Sequence, residues 1–322
     1  MIQIKRLCAV ALGATLACAG PAMADANYPD KPVRLVVGLA AGGSADVIAR
    51  LIAEHLRTAW KQPVVIENKP GANTSIGSRF VAKAPPDGLT LLFTSQSLST
   101  INLYVKNPGF DPLKDLVPVT QVAKGDYVLS ANKDLPVDDL AQFAAYAKKN
   151  PEKVFHGAGA GVLLMVYEKL AGTMDFKAQQ VNYRGEMPAL TALAAGEVQM
   201  VVSSLLAARP FIESGKIKAL AIPAPARSQV APGIPTAAES GLPNFHTDFW
   251  FGITAPANTP MEIRKKIANE LAVFLAKPET KQKFLDVGFV AKSSGAAEFG
   301  KMIEDSAEQW TAIAKRAGIE PQ

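Results

Sequence analysis

Cysteine is nearly absent: of 322 residues only Cys8 and Cys18 carry a thiol, and both lie close to the N-terminus. The remainder of the chain has neither a disulfide framework nor a cysteine nucleophile, and at this length a hydrophobic core suffices without covalent staples. Histidine is almost as scarce, with His55, His156 and His246 far apart. A metal centre wants clustered His, Cys and carboxylate ligands, so none is expected. Basic residues never run longer than a pair such as Lys148-Lys149 or Lys265-Lys266, and nucleic acid is not the expected partner in spite of a net charge of +5. After the N-terminal segment, no apolar run reaches the roughly 18 to 20 residues of a membrane-spanning helix.

Familiar cofactor and catalytic motifs are missing as well. "GAGAGV" at 157–162 begins like a dinucleotide turn but places Val162 where the third glycine belongs, and no "GxxxxGK[ST]" occurs. No cofactor is expected. Ser203-Ser204 at a strand end and His156 could supply a nucleophile and a base, yet no "GxSxG" elbow marks them. A non-enzymatic protein is the better reading, with an enzyme or a sensor for a membrane signalling partner as the alternatives.

What is present begins with Lys5 and Arg6, an apolar run over 7–19, Pro21 and the small-x-small triplet Ala22-Met23-Ala24. This is the pattern of a secretory signal peptide over 1–24, with cleavage after Ala24. Cys18 follows Leu16-Ala17 and could instead accept a lipid, but Thr15 is a poor start for that motif. Removal of Lys5 and Arg6 lowers the basic count from 34 to 32 against 29 acids, a net charge of +3.

Apolar residues at 48% can fill a sizeable core. Short apolar runs predict strands over 33–38, 64–67, 89–94, 127–131, 154–156, 179–183, 198–203 and 218–222. Helical periodicity occupies 45–56, 137–149, 163–170, 187–195 and 210–214 between them. Apolar strands each followed by a helix predict an α/β fold of doubly wound parallel sheets. Two extended, proline-punctuated segments, 111–123 and 245–257, break the alternation. Read as crossover strands, they divide the chain into one domain of 25–123 with 248–322 and a second of 124–247. The C-terminal helices then pack on the first domain. In one of them Thr259 caps, Pro260 opens the helix and Glu262 completes a capping box, with Ile263, Ile267, Leu271 and Phe274 as the buried stripe. A further amphipathic run over 297–317 carries Phe299, Ile303, Trp310 and Ile313.

Four strand-to-helix turns share a glycine-rich, hydroxyl-rich character: "AAGGSAD" (40–46), "NKPGANTSIG" (68–77), "HGAGAG" (156–161) and "NYRGEMP" (182–188). Such turns emerge at the carboxyl ends of strands, where ligands bind, and expose helix N-terminal amides to an anion. Candidate ligand contacts in the first turn are Ala40, Ala41, Gly42, Gly43, Ser44 and Asp46. Asn73, with Thr74 and Ser75 nearby, Ser95 and Gly159 come from the next turns and strand ends. Tyr183, Arg184, Gly185 and Glu186 form the last turn, with Ser203 and Ser204 closing a neighbouring strand. Arg34, Arg79, Arg184 and Arg209 could each clamp a carboxylate, Arg184 being best placed.

The stretches "YPDKPVRLVVGLAAGGSADVIAR", "VVIENKPGAN", "PPDGLTLLF", "NYRGEMPALTALAAGEV", "IPTAAESGLPNF" and "FWFGITAPANTP", in this order over 28–319, together resemble the substrate-binding proteins of tripartite tricarboxylate transporters, the Bug receptor family. The resemblance implies a monomeric periplasmic receptor of type II, Venus-flytrap architecture. It implies further that the receptor closes over a small carboxylated solute and delivers it to integral membrane transporter subunits. It also implies that backbone amides of Ala40 to Ser44 and of Tyr183 to Glu186 grip the carboxylate, often through ordered water. Three departures stand out: Gly38-Leu39 before the first turn, a shortened "GAGAG" turn, and Ser203-Ser204 where an acidic residue is common.

Overall fold

A computed structural model describes residues 28–321 apart from Ala160 and Asp248. The expected signal peptide, its cleavage site and Cys18 lie outside the described residues. The chain starts as an alternation of β1 (Val33–Val37), α1 (Ser44–Trp60), β2 (Val64–Asn68), α2 (Ser75–Ala82) and β3 (Thr90–Ser95). A 3-10 turn at Gln96–Thr100 leads into the single helical turn α3 (Ile101–Tyr104). The long strand β4 (Leu116–Gly125) follows, then, after Asp126 alone, β5 (Tyr127–Asn132). Alternation resumes with α4 (Leu140–Lys149), β6 (Phe155–Ala158), α5 (Val162–Met174), β7 (Gln179–Asn182), α6 (Glu186–Ala195), β8 (Met200–Ser204), α7 (Leu205–Glu213) and β9 (Ile217–Ala221). The chain closes with β10 (Phe249–Pro256), α8 (Met261–Ala276), α9 (Pro278–Asp286), β11 (Val290–Ala291) and α10 (Ala296–Ala317).

Among the described residues the strands form two sheets, ordered β11-β4-β10-β3-β1-β2 and β7-β6-β8-β5-β9. Purely parallel sheets were the expectation, but both are mixed. β1 pairs in parallel with β2 and β3, and β6 with β7 and β8, whereas β4, β5 and β10 meet their neighbours antiparallel. The reason is connectivity: β4 passes directly into β5 and β10 arrives from the other sheet, so neither junction has the helical crossover a parallel return needs.

Register fixes how the sheets meet. The C-terminal residues of β1 and β2, Val37 and Asn68, share one edge with Ser95 of β3. Ser95 lies opposite Phe251, and Gly125 opposite Phe249, so the end of β4 comes to that same edge. In the second sheet Ala158 and Asn182 end β6 and β7 side by side, while Tyr127 lies opposite Ser204 at the end of β8. Because only Asp126 separates Gly125 from Tyr127, the carboxyl edges of the two sheets are turned toward each other.

Both sheets are covered on two faces. Leu35, Val37 and Phe93 pack with Ile48 and Ile52 of α1 and Ile267 of α8, while Val36 and Leu92 face Val81 of α2 and Phe299 of α10. In the second sheet Leu129 and Val202 face Phe143 and Met165, and Val128 and Val201 face Leu190 and Leu205. Helix α10 serves both: Phe299 and Ile303 lie in a first-sheet cluster, but Trp310, Ile313 and Ala314 join a second-sheet one. Its C-terminal half therefore departs from the expected packing on the first domain. The capping expectation at α8 is also corrected. The helix starts at Met261, and the Thr259 hydroxyl donates to the Pro256 carbonyl at 2.7 Å instead of capping it. No helix of the described residues is long and apolar enough to cross a membrane.

Candidate ligand-binding site

The first strand-to-helix turn sits at the facing edge. Gly43 precedes α1 in extended conformation and no side chain caps the helix. Gly42 adopts φ +83°, a left-handed conformation that costs a residue with Cβ about 1–2 kcal/mol. Ala40 to Gly43 are exposed, and among the described residues the amides of Ala40, Ala41, Gly43 and Ser44 meet no protein acceptor. These donors, at the positive end of a 17-residue helix, suit an anion.

Two members of that turn have protein partners. The Gly42 amide donates to Asp46 Oδ2 at 3.1 Å. The Asp46 carboxylate also accepts from Arg50 Nε at 2.9 Å and from Asn68 Nδ2 at 3.1 Å, while the same Asn68 amide group reaches the Leu39 carbonyl. The Arg50 guanidinium, with these further donors, holds the Asp46 carboxyl below the usual range. Asp46 thus braces the turn against β2 and α1 rather than facing the gap.

Beside it, Ala72, Asn73 and Thr74 all take positive φ, at 44°, 47° and 71°, before α2 begins at Ser75. Three consecutive left-handed residues with side chains are an uncommon, strained arrangement. It presents Asn73, whose Nδ2 donates to Thr100 Oγ1 at 3.2 Å, and buries Thr74, whose Oγ1 finds no partner among the described residues. Ser95 is buried and its hydroxyl oxygen accepts from the Ser97 amide, so it caps the 3-10 turn.

On the opposing edge the Tyr183 amide donates to the Ala158 carbonyl, and Gly185, at φ +110°, precedes α6 without a side-chain cap. The amides of Arg184, Gly185 and Glu186 meet no protein acceptor among the described residues. Gly159 closes on the same helix start: a Cβ there would stand 3.2 Å from the Glu186 Cα and N. The Glu186 carboxylate accepts from the Ser204 amide at 2.8 Å and its hydroxyl at 3.0 Å, and burial pushes the carboxyl upward. Ser204 and Glu186 therefore lock α6 to the end of β8. The neighbouring Ser203 Oγ is buried with no partner among the described residues.

Two hydrogen bonds across the gap were not foreseen. The Tyr104 hydroxyl donates to the Gly161 carbonyl at 2.7 Å, and the Tyr127 hydroxyl to Gln96 Oε1 at 2.8 Å. Asn73 Oδ1 would lie 3.1 Å from a Cβ at Gly161. Tyr104 and Gln96 occur in "TSQSLSTINLY", a stretch with no glycine or charge to mark it.

Other expectations move. Arg34 lies near the start of β1 and, with Arg79, lines an outward groove instead of the facing edge. Arg209 pairs with Glu213 one turn along α7. Arg184 alone of the four remains at the candidate turn, exposed. Of the three histidines only His246 is exposed. His55 pairs with Glu270 and stacks on Phe274, and His156 is buried against the Tyr167 ring at 3.6 Å between centroids. Burial holds the His156 imidazole down to about 3. Among the described residues no group of three His, Cys, Asp or Glu is placed to hold a metal.

The model of the tripartite tricarboxylate transporter family receptor matches residues 48–319. The chain is similar to BugT of Bordetella pertussis, 31% identical over 328 residues covering 98% of this chain and 99% of that protein. Among solved structures it resembles R. palustris Rpa4515 with adipate, at 32% identity and a TM-score of 0.81 over 92% of this chain and all of that one. MatC from Rhodopseudomonas palustris with bound malate is 29% identical, with a TM-score of 0.76 over 89% of this chain and 100% of that chain.

Proposed function

The chain belongs to the tripartite tricarboxylate transporter receptor family, a family of periplasmic solute receptors, and from that membership we propose that it binds a small carboxylated organic solute between two lobes. The lobes are 25–123 with 248–322, and 124–247. The observation that carries this reading is the pair of open amide sets, Ala40, Ala41, Gly43 and Ser44 on one edge and Arg184–Glu186 on the other, on edges that face each other. Backbone donors fix a carboxylate without a permanent cationic side chain, and Asn73, Ser95, Gly159 and Ser203 are the further candidate contacts. A ligand touching both edges favours the closed form over the open one, and the two crossover strands, β4 and β10, supply the hinges.

The solute leaves unaltered, so the protein is a receptor and not an enzyme. Export by 1–24 places it in the periplasm as a monomer, where it hands the solute to integral membrane transporter subunits. Adipate and malate, carried by the two similar structures, set the first probes. In a thermal-shift series with adipate, malate, benzoate and glutamate, a true ligand at about 100 times its Kd adds about 2.7 kcal/mol of stability. Mass spectrometry should recover that ligand unchanged. Chemical turnover, or stabilisation only by uncharged analogues, would overturn the reading.

A further inference from the structure

Helix α2, eight residues long, is too short to cover the sheet face it lies on. Val36 and Leu92 beneath it are buried against Val81, but alternation sets Arg34, Val65 and Glu67 on that same face, where Val65 is 54% exposed. Alongside, Ile76, Arg79 and Phe80 of α2 and Lys83 just after it line, with Lys69, a cavity of about 660 Å³. Ile76 and Phe80 are exposed apolar side chains. Glu67 pairs with Arg34 at 3.3 Å and with Lys69 at 2.6 Å, and both cations lie over the Phe80 ring, at 5.5 and 4.3 Å from its centroid. Arg79 and Lys83 have no carboxylate partner among the described residues.

We propose that this groove docks an acidic segment of a partner protein, with an apolar side chain against Ile76 and Phe80 and flanking carboxylates on Arg79 and Lys83. Charge complementarity supplies the acidic requirement, because the one carboxylate present is already shared between two of four cations. Exposed apolar side chains beside unpaired charges are the usual composition of a recognition patch. Concavity separates a protein segment from a lipid surface: a planar headgroup layer reaches the rim of such a groove, not its wall. β2 is the outer strand of the sheet, so no further strand obstructs entry. The groove runs along the outer flank of the sheet from Arg34 near the start of β1 to Lys69 just past the end of β2, its lining shares no residue with the open amide sets, and the inference does not depend on which solute binds there.

The test uses the full chain and a fluorescein-labelled peptide alternating glutamate with leucine and phenylalanine, followed by anisotropy. Binding is expected to fall about tenfold or more in the Arg79→Glu/Lys83→Glu double variant. It should be unchanged in Lys281→Glu/Lys283→Glu on α9, at the opposite side of the sheet, and reduced in Phe80→Ser, which leaves the charge alone. Arg79→Gln/Lys83→Gln gives the same ordering should the reversal unfold the protein. Equal losses in the two reversal variants, no binding of the peptide, or equally tight binding of phosphatidylglycerol vesicles through Arg79 and Lys83 would overturn the proposal.

Discussion

The Tyr104 hydroxyl and the Gly161 carbonyl, 2.7 Å apart, join the turn beside the first sheet to the residue preceding α5 beside the second. Such a bond survives only while the sheets stay this close. A neutral hydrogen bond contributes about 1 kcal/mol, so Tyr104→Phe is expected to populate the open form more and weaken carboxylate binding about fivefold. Calorimetry with small-angle scattering reads both quantities. Unchanged affinity and unchanged dimensions would remove Tyr104 as a latch.

Gly43 and Gly42 separate binding from folding. Gly43 is extended and a Cβ there meets only the Ala40 carbonyl, at 3.7 Å, so Gly43→Val should fold normally while its side chain obstructs the turn. Carboxylate affinity should fall at least about tenfold with little change in Tm. Gly42→Val adds left-handed strain and should lose about 1–2 kcal/mol of stability as well. Full affinity in the Gly43 variant would contradict a backbone cradle.

Asp46 tests the brace. Asp46→Ala removes the shared acceptor of the Gly42 amide, the Asn68 amide group and the Arg50 guanidinium, and should cost about 1 kcal/mol or more in urea unfolding. The lowered Asp46 carboxyl contributes stability that is present above its unfolded pKa and lost as pH falls through its folded value. Weakened ligand binding is expected through a disordered turn. An unaltered unfolding midpoint would show that the turn stands without this brace.

His156 predicts an acid response of the second sheet. Its imidazole titrates near 3 when folded against 6.5 for the free group, so below about pH 6.5 only the unfolded chain takes up the proton. Stability from this group is complete above that pH and should decline by about 1.4 kcal/mol per unit as pH falls toward 3. His156→Phe keeps a ring against Tyr167 and should flatten that component between pH 6.5 and 5. Identical acid profiles for the two proteins would contradict a buried neutral imidazole.

Much of this was legible before folding. Apolar runs located eight of the strands within a residue or two, because a sheet covered on both faces leaves Val33 to Val37 and Leu91 to Phe93 almost continuously apolar, while β4 and β10 begin four or five residues later than expected and the short β11 was not foreseen. The start of α2 was hidden, since "GANTS" reads as a turn and three left-handed residues are in fact spent there before the helix begins. Periodicity revealed the stripe of α10 but not its two destinations: spacing specifies a helix face, and which sheet Phe299 or Trp310 meets is set by the length of the helix against the gap. Trp250 is wholly buried against Phe299, which makes it a poor fluorescence probe of closure. At the site, glycine marked both open turns. It could not show that Asp46 and Ser204 face protein partners, because hydrogen bonds between distant segments leave no local pattern.

Amide chemical shifts in a 15N-labelled protein titrated with malate or adipate address both turns at once. Saturable shifts are expected at Ala40, Ala41, Gly43 and Ser44 together with Arg184, Gly185 and Glu186, along one common binding curve. Binding that perturbs one of these sets and leaves the other at its free position, or perturbs neither, would contradict a carboxylate held between the two sheets.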